Sequence, residues 1–208
     1  MKSKKIVSLI VVLFAVGIIS GLKAFLNFSQ REGRAGNLVR SKGALHAPVR
    51  IVEFIDFQCP ACAQGAVYLK KFMEEHPGTV RLEMKYFPLS GHQHSFMSSR
   101  YAECAARQKK FWSFHDILIE RQDQWKGMVN AMSAFDQMAG ELGLDRQRLD
   151  QCLHDEKTEQ IIQKDKEEGT SLGIQSTPTY FVNGKMVVGM KSLAVELEAL
   201  LKSGNDRI

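Results

Sequence analysis

The sequence predicts an α/β fold in which a strand-helix-strand unit and a strand-strand-helix unit enclose a helical insertion. Three observations support this prediction: an apolar strand pattern that ends in Cys-x-x-Cys, purely helical signals over residues 93–170, and an Asn-Gly pair between two β-rich runs. The 208 residues, 44% of them hydrophobic, suffice for one domain with a sizeable core.

The N-terminal arm has the pattern of an export segment. Three lysines precede an uncharged, mostly apolar run from Ile6 to Leu22. This run is long for a signal peptide and short for a membrane span, so residues 1–26 are either a cleaved signal peptide or an uncleaved anchor. Residues 27–46 are predicted to form a tether, and residues 47–208 are predicted to form the folded domain.

The charge is unevenly distributed along the chain. The net charge is +5, but residues 1–45 alone carry +7, which leaves −2 for the remainder. A slightly acidic folded part argues against nucleic-acid binding.

The first strand is predicted from Pro48 to Phe57. Glu53 shares one face of it with three large apolar residues, so we expect this acid to be buried. Burial would raise its pKa and allow it to exchange protons with a nearby thiol. The alternative is that Glu53 faces a wet groove and has no role.

A helix is predicted after this strand, with Cys59 at its N-terminus and an end near His76. The unpaired N–H groups and the helix dipole favour a thiolate there, which lowers the thiol pKa from its free value of about 8.5. Pro60 lacks an N–H that the first turn would leave unpaired. Because Cys62 lies one turn further in, we expect Cys59 to be the nucleophile and Cys62 the resolving thiol.

Regular periodicity predicts the remaining elements. Val67, Leu69 and Phe72 supply the apolar surface of the first helix, and alternation from Val80 to Tyr86 indicates a second, parallel strand. In the insertion, we expect the aromatic group Phe111, Trp112 and Phe114 to lie in the hydrophobic core. We expect His115 to be a core histidine whose hydrogen bonds are satisfied. The runs Thr179–Val182 and Lys185–Gly189 flank Asn183-Gly184 as a hairpin, before a helix from Leu193 to Leu201.

Four cysteines in an exported protein fit an oxidising compartment. The i, i+3 spacing makes Cys59 with Cys62 the natural pair and leaves Cys104 with Cys152. Closing a loop of about 48 residues would stabilise the fold by about 4 kcal/mol. Two free buried thiols are the alternative for the second pair. A zinc site at Cys59 and Cys62 lacks a matching second half, since the other cysteines stand alone.

Several motifs in this order resemble a known family. They are Val52-Glu-Phe-Ile-Asp-Phe-Gln-Cys-Pro-Ala-Cys62, Tyr86-Phe-Pro-Leu89, Ala102-Glu-Cys-Ala-Ala106, Phe111-Trp112 with His115-Asp116, and Gly173-Ile-Gln-Ser-Thr-Pro-Thr-Tyr-Phe-Val-Asn-Gly184. From about Ala47 to Leu201 the chain is similar to the thioredoxin superfamily, and more narrowly to the DsbA-like thiol:disulfide oxidoreductases of the bacterial cell envelope.

The resemblance implies an exposed nucleophile at Cys59, its partner at Cys62 and a buried acid at Glu53, with no cofactor. It also implies a cis Thr177–Pro178 bond whose backbone lies beside the cysteines and pairs with an extended substrate. Two departures bear on activity. The dipeptide between the cysteines is Pro-Ala, where the strongest oxidases of this family have Pro-His. The residue before the proline is Thr177, and disulfide isomerases also have threonine at this position.

The expected function is therefore a monomeric oxidase in the bacterial periplasm or on the outer face of the cytoplasmic membrane. It would donate its disulfide to reduced or unfolded exported polypeptides and be reoxidised by a membrane partner of the DsbB or vitamin K epoxide reductase type. It would contact the membrane through the N-terminal segment if that segment is uncleaved. The alternatives are a reductase or isomerase on the same scaffold, a non-catalytic envelope module that binds unfolded chains, and a zinc-binding protein.

Overall fold

A computed structural model of the protein describes residues 38–205, so the predicted export segment and most of the predicted tether lie outside the described residues. The strands are β1 (Ser41–Gly43), β2 (Val49–Ile55), β3 (Val80–Tyr86), β4 (Thr179–Val182) and β5 (Lys185–Val188). The helices are α1 (Pro60–Glu75), α2 (Ser95–Arg107), α3 (Phe111–Glu120), α4 (Gln122–Trp125), α5 (Met132–Glu141), α6 (Arg146–Leu153), α7 (Glu156–Ser171) and α8 (Gly189–Asn205).

The five strands form one mixed sheet with the order β1-β3-β2-β4-β5. Strand β2 is central, parallel to β3 and antiparallel to β4, and β4 is antiparallel to β5. The predicted strand-helix-strand and strand-strand-helix units are confirmed, and they meet along β2. Residues on β2 therefore have neighbours from both halves of the chain.

Strand β1 corrects the predicted domain boundary. We expected residues 27–46 to be a tether, but Ser41–Gly43 pair with β3, with Lys42 opposite Leu82. The preceding Arg40 is buried, and its side chain forms ion pairs with Asp165 and Glu103. This edge strand has only three residues and no apolar side chains, so the sequence shows no periodic pattern there. Backbone hydrogen bonds to β3 and the buried Arg40 hold the strand in place.

Helix α1 packs on the sheet through Leu69 and Phe72, both buried, as expected. Val67 was expected on the same apolar surface, but it is 62% exposed. The buried residues of α1 recur every three or four positions, and Val67 falls between them. Helix α8 packs beside α1, and its Leu193 and Leu197 are fully buried.

Helices α2 to α7 form the predicted insertion between β3 and β4. Of the aromatic group expected as core, Phe111 and Phe114 are buried, but Trp112 is only partly buried at the edge. The core also contains the fully buried Tyr101, Trp125 and Phe135. Between residues 38 and 205, no helix is long and apolar enough to cross a membrane.

Candidate redox site

Cys59 and Cys62 are free thiols at the start of α1, where β2 delivers the chain to the helix. Cys59 is the N-cap residue, Pro60 occupies the first turn, and the Cys59 carbonyl accepts a hydrogen bond from the Cys62 amide at 3.0 Å. Cys62 is fully buried. Cys59 is only 7% exposed, so the nucleophile that we expected to be exposed presents little more than an edge of its side chain.

The two thiols have opposite protonation behaviour. The pKa of Cys59 is lowered to about 5, because a hydrogen bond from the Cys62 thiol outweighs the cost of burying the thiolate. The side chain of Thr177 and the backbone amides of Ala61 and Cys62 contribute in the same direction. Burial raises the pKa of Cys62 well above its usual value, and the hydrogen bond to Cys59 adds to that effect. The pair can therefore hold one thiolate and one thiol.

The segment that contains Pro178 lies directly against Cys59. The peptide bond between Thr177 and Pro178 is cis, which confirms the expectation, and the Thr177 carbonyl oxygen lies 3.4 Å from Cys59 Sγ. The Thr177 hydroxyl has no other hydrogen-bond partner among the described residues, so it is available to a Cys59 thiolate. The structure thus brings Cys59, Cys62 and the Thr177–Pro178 segment together.

Asp56 fixes the turn that leads from β2 to Cys59. Its buried carboxylate accepts hydrogen bonds from the backbone amides of Gln58 at 2.8 Å and Leu89 at 2.9 Å. His92 Nδ1 lies 2.7 Å from the same carboxylate. The loop histidine His92 therefore supports the turn through Asp56.

Gln122 joins the helical insertion to the same turn, and the sequence analysis did not single it out. Its buried side-chain amide donates to the carbonyl oxygens of Phe57 at 2.7 Å and Cys59 at 3.0 Å. One glutamine in a four-residue helix carries no periodic signal. Its side chain bonds two carbonyl groups that lie more than sixty residues away in the sequence, so no local pattern marks it.

Glu53 is fully buried on β2, which confirms the expectation. Burial raises its pKa to about 7, although the positive charge of Lys42 opposes this change. Neither carboxylate oxygen has a hydrogen-bond partner within the described part of the chain. Glu53 is thus a buried acid that can gain or lose a proton near neutral pH.

The positive charge that lowers the pKa of Glu53 belongs to Lys42, which comes from the unexpected strand β1. Its Nζ lies 4.1 Å from the centre of the Trp112 ring. Burial lowers the pKa of Lys42, while Asp116 and Glu53 oppose that shift. Asp116 also lies 2.7 Å from Nδ1 of His115, which is buried against aromatic rings. The prediction of a satisfied core histidine holds only for Nδ1, because Nε2 has no hydrogen-bond partner among the described residues.

Tyr180 is a further residue that the sequence analysis did not single out. It lies opposite Glu53 in the pairing of β2 with β4 and is fully buried. Burial raises the pKa of its hydroxyl, and the negative charges of Glu53, Cys62 and Cys59 raise it further. The sequence predicted only that residue 180 lies in the β-rich run before the Asn183-Gly184 hairpin.

The second cysteine pair lies apart from this turn. Cys104 on α2 and Cys152 on α6 form a disulfide across a sequence separation of 48 residues, which confirms the predicted pairing. The bond joins two helices of the insertion. Cys104 is fully buried, and Cys152 is nearly so.

A buried thiol beside a thiol of low pKa, at the start of a helix that packs on a mixed sheet, defines a dithiol redox protein of the thioredoxin type. The model of the family described as Thioredoxin matches residues 39–203. The chain belongs to this family. The matched region begins before the boundary expected at residue 47 and includes β1.

Two relatives confirm the narrower resemblance to DsbA-like proteins. The chain is 29% identical over 201 residues to the probable disulfide bond formation protein D of Bacillus cereus, covering 89% of this chain and 92% of that protein. The solved structure of oxidised BdbD from Bacillus subtilis shares the fold, with a TM-score of 0.68, 23% identity, and coverage of 80% of this chain and 94% of that one. The chain thus resembles a protein that is named for disulfide bond formation.

Another relative is much longer. The chain is 32% identical over 145 residues to the Na(+)/H(+) antiporter NhaA 3 of Salinispora tropica. This match covers 69% of the chain but only 21% of the antiporter. The chain thus spans about a fifth of the length of that relative, and the transport activity in its name is said of the whole antiporter.

Proposed function

We propose that the protein is an extracytoplasmic disulfide oxidase, which introduces disulfide bonds into exported polypeptides through a Cys59–Cys62 disulfide. The observation that carries this proposal is the opposed protonation of the two thiols. A pKa of about 5 for Cys59 leaves its thiolate stable at neutral pH, while Cys62 stays protonated. Stabilising the reduced form makes the corresponding disulfide a stronger oxidant.

The reaction consists of two thiol–disulfide exchanges. A substrate thiolate attacks Cys59 Sγ, the bond between the two cysteines breaks, and Cys62 leaves with the electron pair and takes up a proton. A second substrate thiolate then attacks the substrate sulfur of the mixed disulfide, and Cys59 leaves as a thiolate. The substrate dithiol is oxidised to a disulfide, and the protein is reduced to its dithiol.

The other residues have distinct roles in this proposal. Glu53 exchanges the proton that Cys62 gains or loses, since its pKa of about 7 lies near the working pH. The Thr177–Pro178 backbone, which lies against Cys59, pairs with an extended substrate. The Cys104–Cys152 disulfide holds the insertion together and takes no part in the exchange.

The sequence and the family support a proposed location and proposed partners. The N-terminal 26 residues would export the domain or anchor it on the outer face of the cytoplasmic membrane. The name of the Bacillus cereus relative, a disulfide bond formation protein, supports a role in oxidation. The protein would act as a monomer without a cofactor, and a membrane protein of the DsbB or vitamin K epoxide reductase type would reoxidise it.

A reductase or isomerase is the second candidate. Ala61 between the thiols is an apolar methyl group that offers the Cys59 thiolate no side-chain donor, and Thr177 is a choice shared with isomerases. Both observations bear on the redox potential, which therefore decides between the two functions.

The test is the redox equilibrium of the full chain with glutathione, together with a pH titration of its thiolate absorbance. An oxidase should have a potential well above the thioredoxin value of about −270 mV, and its Cys59 thiolate should titrate near pH 5. A potential close to that of thioredoxin, with a near-neutral Cys59 pKa, would favour the reductase or isomerase.

Matched cysteine variants test which pair performs the oxidation. Cys59→Ala should no longer oxidise reduced, unfolded ribonuclease. The double variant Cys104→Ala and Cys152→Ala should retain this activity at temperatures where it stays folded. Oxidation by the Cys59→Ala variant at the parent's rate would refute the proposal.

A further inference from the structure

The hydroxyl of Tyr180 is a buried polar group without a well-formed hydrogen bond in the described part of the chain. Tyr180 is fully buried, and no residue between 38 and 205 forms a hydrogen bond of good distance and angle with its hydroxyl or with the two carboxylate oxygens of Glu53. The hydroxyl is nevertheless close enough to that carboxylate to lower its pKa. The two residues lie directly opposite each other on adjacent strands. Unpaired buried polar groups destabilise a fold, so two that face each other next to a reactive centre suggest a role in the reaction.

Gly65 provides the space for this hydroxyl. A Cβ atom at position 65 would clash with the Tyr180 hydroxyl oxygen, whereas its next neighbours, Pro178 Cγ and Tyr180 Cζ, would lie at 3.5 Å. The phenol therefore extends from β4 until its hydroxyl touches the backbone of α1. Cys62 and Gly65 are three residues apart and share one face of that helix, so the hydroxyl lies on the Cys62 side of α1.

The charges around Glu53 and the thiols come from four elements. The charge of Lys42 on β1 acts on Glu53, and it also acts on Asp116 and His115 of α3. Tyr180 faces Glu53 from β4 and also interacts with both thiols of α1. On β3 the residue opposite Glu53 is Met84, which carries no proton to exchange. Asp56, near Cys62, is already occupied by its three hydrogen-bond donors.

We propose that Tyr180 relays a proton between Glu53 and Cys62, a role that rests on the proposed thiol–disulfide exchange. When Cys62 leaves as a thiolate, the Tyr180 hydroxyl gives its proton to the Cys62 sulfur, and the protonated Glu53 carboxyl gives its proton to the phenol oxygen. The products are a Cys62 thiol, a neutral tyrosine and a Glu53 carboxylate, which solvent then reprotonates. Reoxidation uses the same path in reverse.

The test follows the reverse step with glutathione as the probe. The full chain carrying a mixed disulfide of glutathione on Cys59 is prepared, and the rate at which Cys62 displaces glutathione is measured from acid to alkaline pH. The parent should show an inflection near pH 7, where Glu53 titrates. Tyr180→Phe should lose or shift this inflection and lower the rate about tenfold or more.

Three further variants make the result specific. Tyr101→Phe removes the hydroxyl of another buried tyrosine, which bonds Asp136 in the insertion, and should keep the parent's rate and pH profile. Glu53→Gln should lose the same inflection, and adding Tyr180→Phe to it should cause little further loss. Gly65→Ala keeps the phenol but displaces its hydroxyl, so it should reproduce the effect of Tyr180→Phe.

The outcomes separate this inference from the proposed function. A Tyr180→Phe profile that superimposes on the parent's, in a parent that oxidises ribonuclease, would overturn the relay alone. A parent with a potential near that of thioredoxin would overturn the oxidase and leave the relay to be judged from its own pH profile. The thiolate titration of Cys59 should be nearly unchanged in Tyr180→Phe, which shows that the variant retains its active-site fold.

Discussion

The buried acids beside Arg40 and the buried acid Glu53 have different surroundings. Around Arg40, the Glu103 carboxylate lies 3.8 Å from the guanidinium and accepts a hydrogen bond from the Tyr86 hydroxyl at 3.1 Å. Asp165 forms an ion pair with the same guanidinium and accepts from the Tyr86 amide at 3.1 Å. Glu53, in contrast, has no well-formed hydrogen bond among the described residues, and only the charge of Lys42 and the nearby Tyr180 hydroxyl favour its ionised form.

Counter-ions and hydrogen-bond donors decide whether a buried carboxylate stabilises the fold or exchanges a proton. The Arg40 group gives its acids a cation and directed hydrogen-bond donors, and it thereby joins β1 to α2 and α7. Glu53 lacks such partners, so burial dominates and moves its pKa to about 7. We infer that the first arrangement stabilises the fold and that the second supports proton exchange at some cost in stability.

Removing the cation from the paired acids should have the largest effect on stability. Arg40→Met would leave Glu103 and Asp165 buried without a counter-ion, and breaking such a pair typically costs about 3–5 kcal/mol. Denaturant unfolding measures this loss. Arg81→Met is the control, because Arg81 also bonds β1, through the Gly43 carbonyl at 2.9 Å, but at an exposed position. Equal losses in the two variants would contradict the assigned role of Arg40.

Neutralising the unpaired acid should stabilise the protein at alkaline pH. The pKa of Glu53 rises from 4.5 to about 7 on folding, so the native state holds this proton more tightly and the free energy of unfolding falls as pH rises between those values. At about 1.4 kcal/mol per pKa unit the fall is about 3 kcal/mol. Glu53→Gln should lack this contribution and be more stable than the parent above pH 7.

The pH dependence is measured on the oxidised protein, in which Cys59 does not titrate. Glu74→Gln, a change at an exposed acid of α1, is the matched control and should leave the difference between acid and alkaline pH nearly unchanged. A Glu53→Gln variant that loses stability in parallel with the parent on raising the pH would contradict a raised Glu53 pKa.

The smallest effect tests the close approach of Tyr180 to α1. Gly65→Ala should destabilise the parent by about 1–3 kcal/mol through overpacking. In a Tyr180→Phe background the clashing oxygen is gone, so the same change should be neutral or stabilise by up to about 1 kcal/mol through helix propensity. A double-mutant cycle of unfolding free energies measures the coupling. An equal cost of Gly65→Ala in both backgrounds would rule out the contact.

The sequence predicted the elements that periodicity and turn chemistry encode. Strand β2, the thiols at the start of α1 and the hairpin at Asn183-Gly184 each have a local signal, and Asn183 and Gly184 have the positive φ angles that such a turn requires. The Cys104–Cys152 bond followed from counting four cysteines. These features depend on neighbouring residues or on a small set of possible partners.

The features that sequence reasoning missed depend on single long-range contacts. Arg40 meets Asp165 across 125 residues, and Gln122 bonds carbonyl groups of the turn before α1. Tyr180 has the pattern of any inward-facing strand residue, and only its contact with Gly65 distinguishes it. No local sequence pattern predicts such pairs. Residues 40–43 therefore had the pattern of a polar tether, and Tyr180 had the pattern of an ordinary strand residue.

The attachment of β1 has a consequence for how this domain can be inherited. The family match begins at residue 39, immediately before Arg40, and similar sequence also occurs within much longer antiporters. A gene fusion that joined this domain at residue 47 would separate Glu103 and Asp165 from their cation. Recombination that preserves function should therefore place its junctions upstream of Arg40, so that the arginine and its short strand are transmitted together with the helices that they hold.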